Sequence, residues 1–451
     1  MGISVLARLR SHVVRRLGWG IADQIVSSLT NFAVSIYVVH SLGAVQFGAF
    51  SLAYVTYGFA LNASRGLATD PLMVRFSGTD VAAWRRAVAT CTGTAALVGL
   101  ATGACALVAA SVLSNTAGRA FLALGLTLPG LLMQDSWRYS FFALGHGGQA
   151  FLNDTVWALT LLPALILLRT TGHGDVFWLV LAWGLSATVA AGVGPLQARV
   201  VPRLAGAWVW MSQHRDLGPR YLAEGTSNSA ATQLRTYGIG LALGLASIGY
   251  VQAAGTLMGP MTILFLGMAL VTLPEAARIL RRSPQHLLWF CVLVSVGLAA
   301  AAFAWGVVLL IAVPRGLGAW LLGPVWRPTY PLVLPQILYV TGQAAATGTG
   351  VGLHALGAAR RSLRVAVITS AITVVCALVG AVSDGAIGAV SGMAASAWVS
   401  VIFYWLELRA AMRESSSIPG HGSLRSLRTA TPRTASQRTA GRPGKSGGHR
   451  K

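Results

Sequence analysis

From His286 to Val313 the chain reads HLLWFCVLVSVGLAAAAFAWGVVLLIAV. Past the histidine it carries no charge. An α-helix rises about 1.5 Å per residue, so about 20 apolar residues cross a hydrocarbon core of roughly 30 Å. Arg278, Arg281 and Arg282 precede the stretch and Arg315 follows it, so charge stops where a membrane would begin and resumes where it would end. The same pattern recurs along the chain. It predicts spans near 17–41, 47–74, 87–113, 119–144, 150–169, 175–198, 219–245, 250–277, 286–313, 329–355, 364–383 and 386–408. The fold class expected is an all-α integral membrane protein with about 12 transmembrane helices.

Composition agrees. Of the 451 residues 55% are hydrophobic and 10% charged, against about 25% charged in soluble domains. Mean hydropathy is +0.64. The net charge of +22 raises nucleic acid as a partner, but its distribution argues against it. Residues 411–451 hold nine basic residues and one acidic, and most of the others flank apolar segments. Cys91, Cys105, Cys291 and Cys376 lie inside apolar stretches with no CxxC spacing and no nearby histidine. They read as small apolar helix residues, so neither disulfide, metal nor cofactor is expected.

Orientation follows from the arginines. With a cytoplasmic N-terminus and alternating spans, the inner side collects Arg8, Arg10, Arg15, Arg16, Arg75, Arg85, Arg86, Arg199, Arg203, Arg215, Arg220, Arg278, Arg281, Arg282, Arg360, Arg361 and Arg364. The outer side collects Arg119, Arg169, Arg315 and Arg327. This asymmetry is the one the positive-inside rule demands, and losing or adding a span scrambles it. A multi-pass protein of the inner (plasma) membrane with both termini cytoplasmic is expected.

The chain also repeats. An offset of 201 residues lays Leu42-Gly43 on Leu243-Gly244, Gly48 on Gly249 and Asp23 on Glu224. An offset of 212 lays Ala143-Leu144-Gly145 on Ala355-Leu356-Gly357. Both echoes fall at topologically equivalent span ends, which predicts two pseudo-symmetric six-helix bundles. The expected organisation is a basic interfacial segment (1–16), an N-terminal lobe (17–199), a cytoplasmic linker (200–218), a C-terminal lobe (219–410) and a disordered basic cytoplasmic tail (411–451).

The stretch Leu17 to Phe76 resembles the start of the polysaccharide flippases of the multidrug/oligosaccharidyl-lipid/polysaccharide export superfamily. The resemblance rests on a carboxylate-bearing first helix (Trp19-Gly20-Ile21-Ala22-Asp23) and on the turn Leu42-Gly43-Ala44-Val45-Gln46-Phe47-Gly48. Ala143-Leu144-Gly145 after the fourth helix adds to it. The similarity in layout covers about residues 15–410. It implies two six-helix bundles around a central cavity, working by alternating access. The implied cargo is a polyprenyl-diphosphate-linked oligosaccharide, moved from the cytoplasmic to the outer leaflet. Membrane lipids and polysaccharide-synthesis proteins would be further partners. The chain departs from the lipid II flippase branch, which usually has fourteen spans, and its basic tail is not part of the family core.

Charges within spans are expensive and mark candidate sites. Arg65, Arg138 and Arg235 are the arginines well inside. A guanidinium stays charged and grips phosphate oxygens in pairs, which suits a diphosphate head group. The bland alternatives are that Arg138 pairs with Asp135 one turn away and that Arg65 snorkels to the interface. Asn31, Asn228 and Gln233 are candidate substrate contacts on polar faces of spans 1 and 7. Those faces equally suit hydrogen bonding between helices. For coupling or gating the candidates are Asp23, Glu224, Asp70 and Asp135. The first two equally suit a helix's first turn. Asp70-Pro71 and Pro274-Glu275 mark possible hinges, and Asp70 is a possible partner for Arg65. Asp154 and Glu275 read as interfacial anchors. Trp84, Trp178, Trp305, Trp320, Trp326 and Trp405 read as belt residues, and Trp137 as packing or a sugar platform. No HExxH, GxSxG, Walker pattern or large outer loop is present, so no catalytic residue is expected. A flippase leads. The alternatives are a cation-coupled multidrug exporter on the same scaffold, a membrane-embedded polysaccharide-synthesis enzyme and a non-transporting scaffold.

Overall fold

The computed structural model describes residues 28, 30, 32–77, 79–113, 115–172, 174–312 and 316–417. Side chains at 220, 223–228 and several positions between 263 and 284 are not among those described. The segments 1–16 and 418–451, on which two sequence expectations fall, lie outside.

Among the described residues every regular element is helical. The first six are α1 (Phe32–Ser41), α2 (Ala44–Phe76), α3 (Val81–Val112), α4 (Thr116–Leu144), α5 (Gly147–Thr170) and α6 (Val176–Ala198). Polar residues sit where backbone N–H groups need partners. Asp80, Asn115 and Asp175 cap α3, α4 and α6, each accepting from two backbone N–H groups of the first turn, the groups a helix start leaves unbonded.

A short linker helix, α7 (Ala207–Gln213), joins the halves. Then come α8 (Gly218–Leu243), α9 (Leu245–Leu257), α10 (Gly259–Arg282), α11 (Leu287–Ala312), the short α12 (Gly318–Leu322), α13 (Trp326–Ala355) and the long segment α14 (Ala359–Ser417). The last is a hairpin. It reverses at Asp384 and Gly385, whose backbones leave the helical region. Its arms then pack so closely that a Cβ on Gly380 or Gly388 would collide with the other's carbonyl oxygen.

Seven of the described helical segments are long and apolar enough to cross a membrane by length and composition, the hairpin counting once. The other predicted spans fall on α1, α8, α9–α10 and α13. The described part of α1 begins at Phe32, span 8 is divided between α9 and α10, and α8 and α13 carry more polar residues than the seven. Span 8 breaks at Met258–Gly259 rather than being marked by Pro274, because Pro260 at the start of α10 cannot continue the α9 ladder.

The two-lobe pattern is visible in the packing. In the first half α4 is central, flanked by α3, α6, α2 and α5. In the second half α13 takes the same place among α14, α11, α10 and α9. The sequence echo at the ends of these two central helices is a repeat of geometry. Gly145 and Gly357 both adopt left-handed backbone, at φ 78° and 68°. Gly145 N–H donates to Phe142 O and His146 N–H to Phe141 O, each at 2.9 Å. Gly357 donates to His354 O and Ala358 to Leu353 O, each at 3.0 Å. This paired closure satisfies the last carbonyls of a helix and needs a residue free to take positive φ.

Candidate functional site

The lobes meet along α2, which runs antiparallel to α8 and crosses α9. At the end far from the linker, a Cβ on Gly48 would overlap the Leu245 carbonyl oxygen, and one on Gly249 would overlap that of Ala44. Ala44 and Leu245 are themselves equivalent under the 201-residue offset, so the contact is pseudo-symmetric. Toward the middle, Thr56 Oγ1 and Tyr237 Oη share a 2.5 Å hydrogen bond and Gln233 Nε2 donates to Val55 O at 3.3 Å. Asn62 Nδ2 donates to Ser229 Oγ at 2.7 Å. Near the linker, Gly66 lies against the backbone of Tyr221 and Leu222. Ser229, Gln233 and Tyr237 from the polar face that sequence assigned to span 7 are therefore engaged with α2. Gln233, a candidate substrate contact, is buried in that contact.

Inside the first lobe the charged candidates form pairs that sequence spacing did not suggest. Arg65 on α2 grips Asp135 on α4 through two guanidinium nitrogens, Nε at 2.9 Å and Nη2 at 2.7 Å. Its guanidinium also lies 4.8 Å from the Tyr139 ring centroid. Arg65 therefore does not snorkel to the interface, and Asp135, not Asp70, is its carboxylate. Asp70 sits half-buried at the end of a π-helical turn, Arg65–Thr69. Arg138 reaches Asp154 on α5 at 3.5 Å, not Asp135 on its own helix.

Asp154 is thus no interfacial anchor. It is 3% exposed and also accepts from Gln134 Nε2 at 2.8 Å. Gln134 and Asn153 extend the network, and Asn153 Nδ2 donates to Ala190 O and Gln197 Oε1, each at 2.9 Å. Buried charges need such partners, since an unpaired one costs several kcal/mol, about 3 to 5 when one member is removed. Glu275, by contrast, pairs with Arg278 at the surface.

In the second lobe Arg235 takes a different environment. Nη1 donates to Tyr339 Oη at 3.1 Å, and the guanidinium lies 5.9 Å from that ring's centroid. Gln343 Nε2 also donates to Tyr339 Oη, at 2.6 Å. Among the described residues these contacts give Arg235 a neutral partner where Arg65 and Arg138 have carboxylates. Asp23 and Asn31 lie outside the described residues, as do the side chains of Glu224 and Asn228. The three arginines are not brought together: two belong to the first lobe's ion-pair network and one to the second lobe.

At Asp70-Pro71, where sequence suggested a hinge, a π-helical turn precedes the proline. Proline has no N–H, so the carbonyl four residues back, Leu67 O, loses its helix partner. Trp210 Nε1 from the linker helix donates to it at 3.2 Å. Cys91 Sγ donates to the neighbouring Ala68 O at 3.3 Å. Sequence reasoning missed Asn62, Asn153, Tyr139, Tyr339, Gln343 and Trp210. Asn153 adjoins Asp154 in sequence, and Tyr339 and Gln343 are one helical turn apart, which are the local signals available. Trp84, taken as a belt residue, is 2% exposed and donates to Ser140 O. Trp137 is fully buried against Gly194 and Phe141, which is packing. Trp178 and Trp320 are exposed.

The architecture and the ionisable groups inside its helices define a multi-pass, two-lobed helical membrane protein. Solved structures give the particular scaffold. One inward-facing multidrug resistance MATE family transporter of the MOP superfamily is 15% identical, with a TM-score of 0.68, over 87% of this chain and 96% of that one. A lipid II flippase, MurJ, in an inward closed conformation is 11% identical, with a TM-score of 0.66, over 89% of this chain and 90% of that one. An outward-facing MATE family transporter is 16% identical, over 90% and 96%, but its TM-score is 0.55. At these identities the likeness is one of fold. No protein-family model matches the chain, and no curated protein sequence matches it.

Proposed function

We propose that the chain is a transporter that flips a polyprenyl-diphosphate-linked oligosaccharide, a cell-envelope polysaccharide precursor, from the cytoplasmic to the outer leaflet by alternating access. The plasma membrane with both termini cytoplasmic is its setting. The observation that carries this reading is Arg235. It is a half-buried guanidinium within a span, held by a phenol rather than a carboxylate, and it retains donors for an anion's oxygens. Arg65 and Arg138, paired to Asp135 and Asp154, leave the first lobe's described network near neutrality. They serve as polar walls and as structural ties, while Arg235 supplies the net attraction for a diphosphate.

A second reading, a cation-coupled multidrug exporter, is favoured by the buried carboxylates Asp135 and Asp154 and by the equal likeness of fold to MATE transporters. The test is leaflet transfer of a fluorescent polyprenyl-diphosphate oligosaccharide in liposomes, beside efflux of cationic dyes. Transfer by the intact chain, lost in a folded Arg235→Ala variant, supports the flippase. Dye efflux that survives Arg235→Ala but not Asp154→Asn, with no glycolipid transfer, supports the exporter.

A further inference from the structure

Among the described residues, the linker between the lobes carries four largely exposed apolar side chains. Trp208 is 77% exposed, Val201 75%, Val209 51% and Leu204 50%. On its inner side the same short segment is fixed to the first lobe. Ala207 and Trp210 are buried, Arg203 N–H donates to Ala89 O at 2.7 Å, and Arg75 binds Asp216 Oδ2 at 2.7 Å and Gln213 O at 3.0 Å. Arg199, Arg203 and Arg215 in the linker are exposed, as are Arg85 and Arg86 on the adjoining start of α3. The segment leaves the end of one membrane span and enters the next, so it lies at the membrane's surface.

From this placement we infer that residues 199–215 form a docking surface for the anionic lipid headgroups of the leaflet on the linker side. Trp208, Val209, Leu204 and Val201 enter the headgroup–acyl boundary, and the arginine rim meets the phosphates. Apolar area together with flanking cations is what binds an interfacial helix to an anionic surface. Aqueous exposure of four large apolar residues beside five arginines has no comparable rationale. The consequence is conformational. Trp210, on the opposite side of the same helix, donates to the Leu67 carbonyl at the π-turn of α2. Lipid that immobilises the linker therefore steadies this π-helical turn. That leaflet is the cytoplasmic one in the orientation proposed above, but the docking itself does not depend on the cargo.

The test is amide hydrogen exchange on the full chain in nanodiscs of phosphatidylcholine alone or with phosphatidylglycerol. Phosphatidylglycerol is expected to slow exchange across 204–213 and, more weakly, across 65–70, while α4 is unchanged. Each arginine near an anionic surface is worth about a fivefold factor. Arg199→Gln/Arg203→Gln/Arg215→Gln is expected to remove the lipid dependence with unfolding temperature unchanged, and Trp208→Ser to speed exchange in both lipids. Equal exchange of the linker in both lipids, or a lipid effect that persists in the triple variant, overturns the proposal. Because no substrate enters the measurement, its failure is separate from failure of the flippase reading.

Discussion

Gly48 on α2 and Gly249 on α9, 201 residues apart, each lie against the other's helix with no room for a side chain: a Cβ on either overlaps a backbone oxygen of the facing helix. Backbone carbonyls cannot move aside as a side-chain tip can, so the contact sets how closely the lobes approach at this end. Gly48→Leu and Gly249→Leu are each expected to prop the far ends apart. The strain is about 1–3 kcal/mol, as for other overpacked sites, and it favours the state open on that side. Spin labels on exposed Val45 and Leu241 would report longer distances in both variants. Unchanged distances would mean that the two helices separate in some other way.

The Arg65–Asp135 pair ties α2 to α4 within one lobe. Asp135→Asn leaves a guanidinium without its carboxylate in a half-buried site. A destabilisation of about 3 kcal/mol is expected, read as a lower thermal midpoint by tryptophan fluorescence in detergent. Arg65→Leu with Asp135→Leu removes both charges and is expected to recover most of the loss. If the double variant is as unstable as the single ones, the pair is not what holds these helices.

Arg235→Ala removes a guanidinium whose described partners are a neutral hydroxyl and a ring. Its effect on unfolding is expected to be small, about 1 kcal/mol for one hydrogen bond. Its effect on transfer of the diphosphate glycolipid is expected to be near-complete. Arg235→Lys keeps the charge but not the planar fork and should restore only part of the rate. A variant that unfolds as readily as Asp135→Asn would make Arg235 structural instead.

Trp210→Phe deletes the donor to Leu67 O and keeps most of the ring packing with Phe76 and His214. The orphaned carbonyl lies beside a proline that cannot bond to it. Hydrogen exchange at 66–72 is expected to rise by a factor of about five, corresponding to about 1 kcal/mol, with α4 and α6 unaffected. No change would show that the turn holds without the linker.

His214 gives a pH dependence outside the spans. Burial pushes its pKa below the ordinary 6.5, while its Nδ1 contact with Trp210 O opposes that shift. The folded linker therefore prefers the neutral ring. Above pH 6.5 folded and unfolded forms are both neutral and the stability is fully present. As pH falls below 6.5 the unfolded form takes up the proton first, and stability declines toward the lower folded pKa. The thermal midpoint should drop between pH 7.5 and pH 5.5, and His214→Gln should flatten that slope. An identical slope in the variant would place the pH response elsewhere.

The spans were legible because a 3.6-residue helix in hydrocarbon needs a long apolar run. Nothing else in this chain produces stretches like 286–313. The repeat was legible because the same backbone problem recurs at Gly145 and Gly357 and at Gly48 and Gly249, and glycine answers it. The ion pairs were not. Helical spacing put Arg138 beside Asp135, yet each found a partner on another helix, Asp154 on α5 and Arg65 on α2. An intramembrane charge takes the partner that helix packing brings near, and local sequence does not record that distance. Asp154 likewise read as an interfacial anchor and proved to be central to a network.

The sequence by itself determined that the chain crosses a membrane many times, in two related halves. These properties follow from solvent transfer of whole segments and add up residue by residue along the chain. Tertiary structure alone decided which charges neutralise one another, that Arg235 faces a phenol, that Ser229, Gln233 and Tyr237 of α8 bond to α2, and that Trp210 holds the carbonyl released by Pro71. Each of those depends on the approach of two helices to within a few ångströms. That approach is fixed by glycine contacts and side-chain packing across the whole bundle, not by any segment alone.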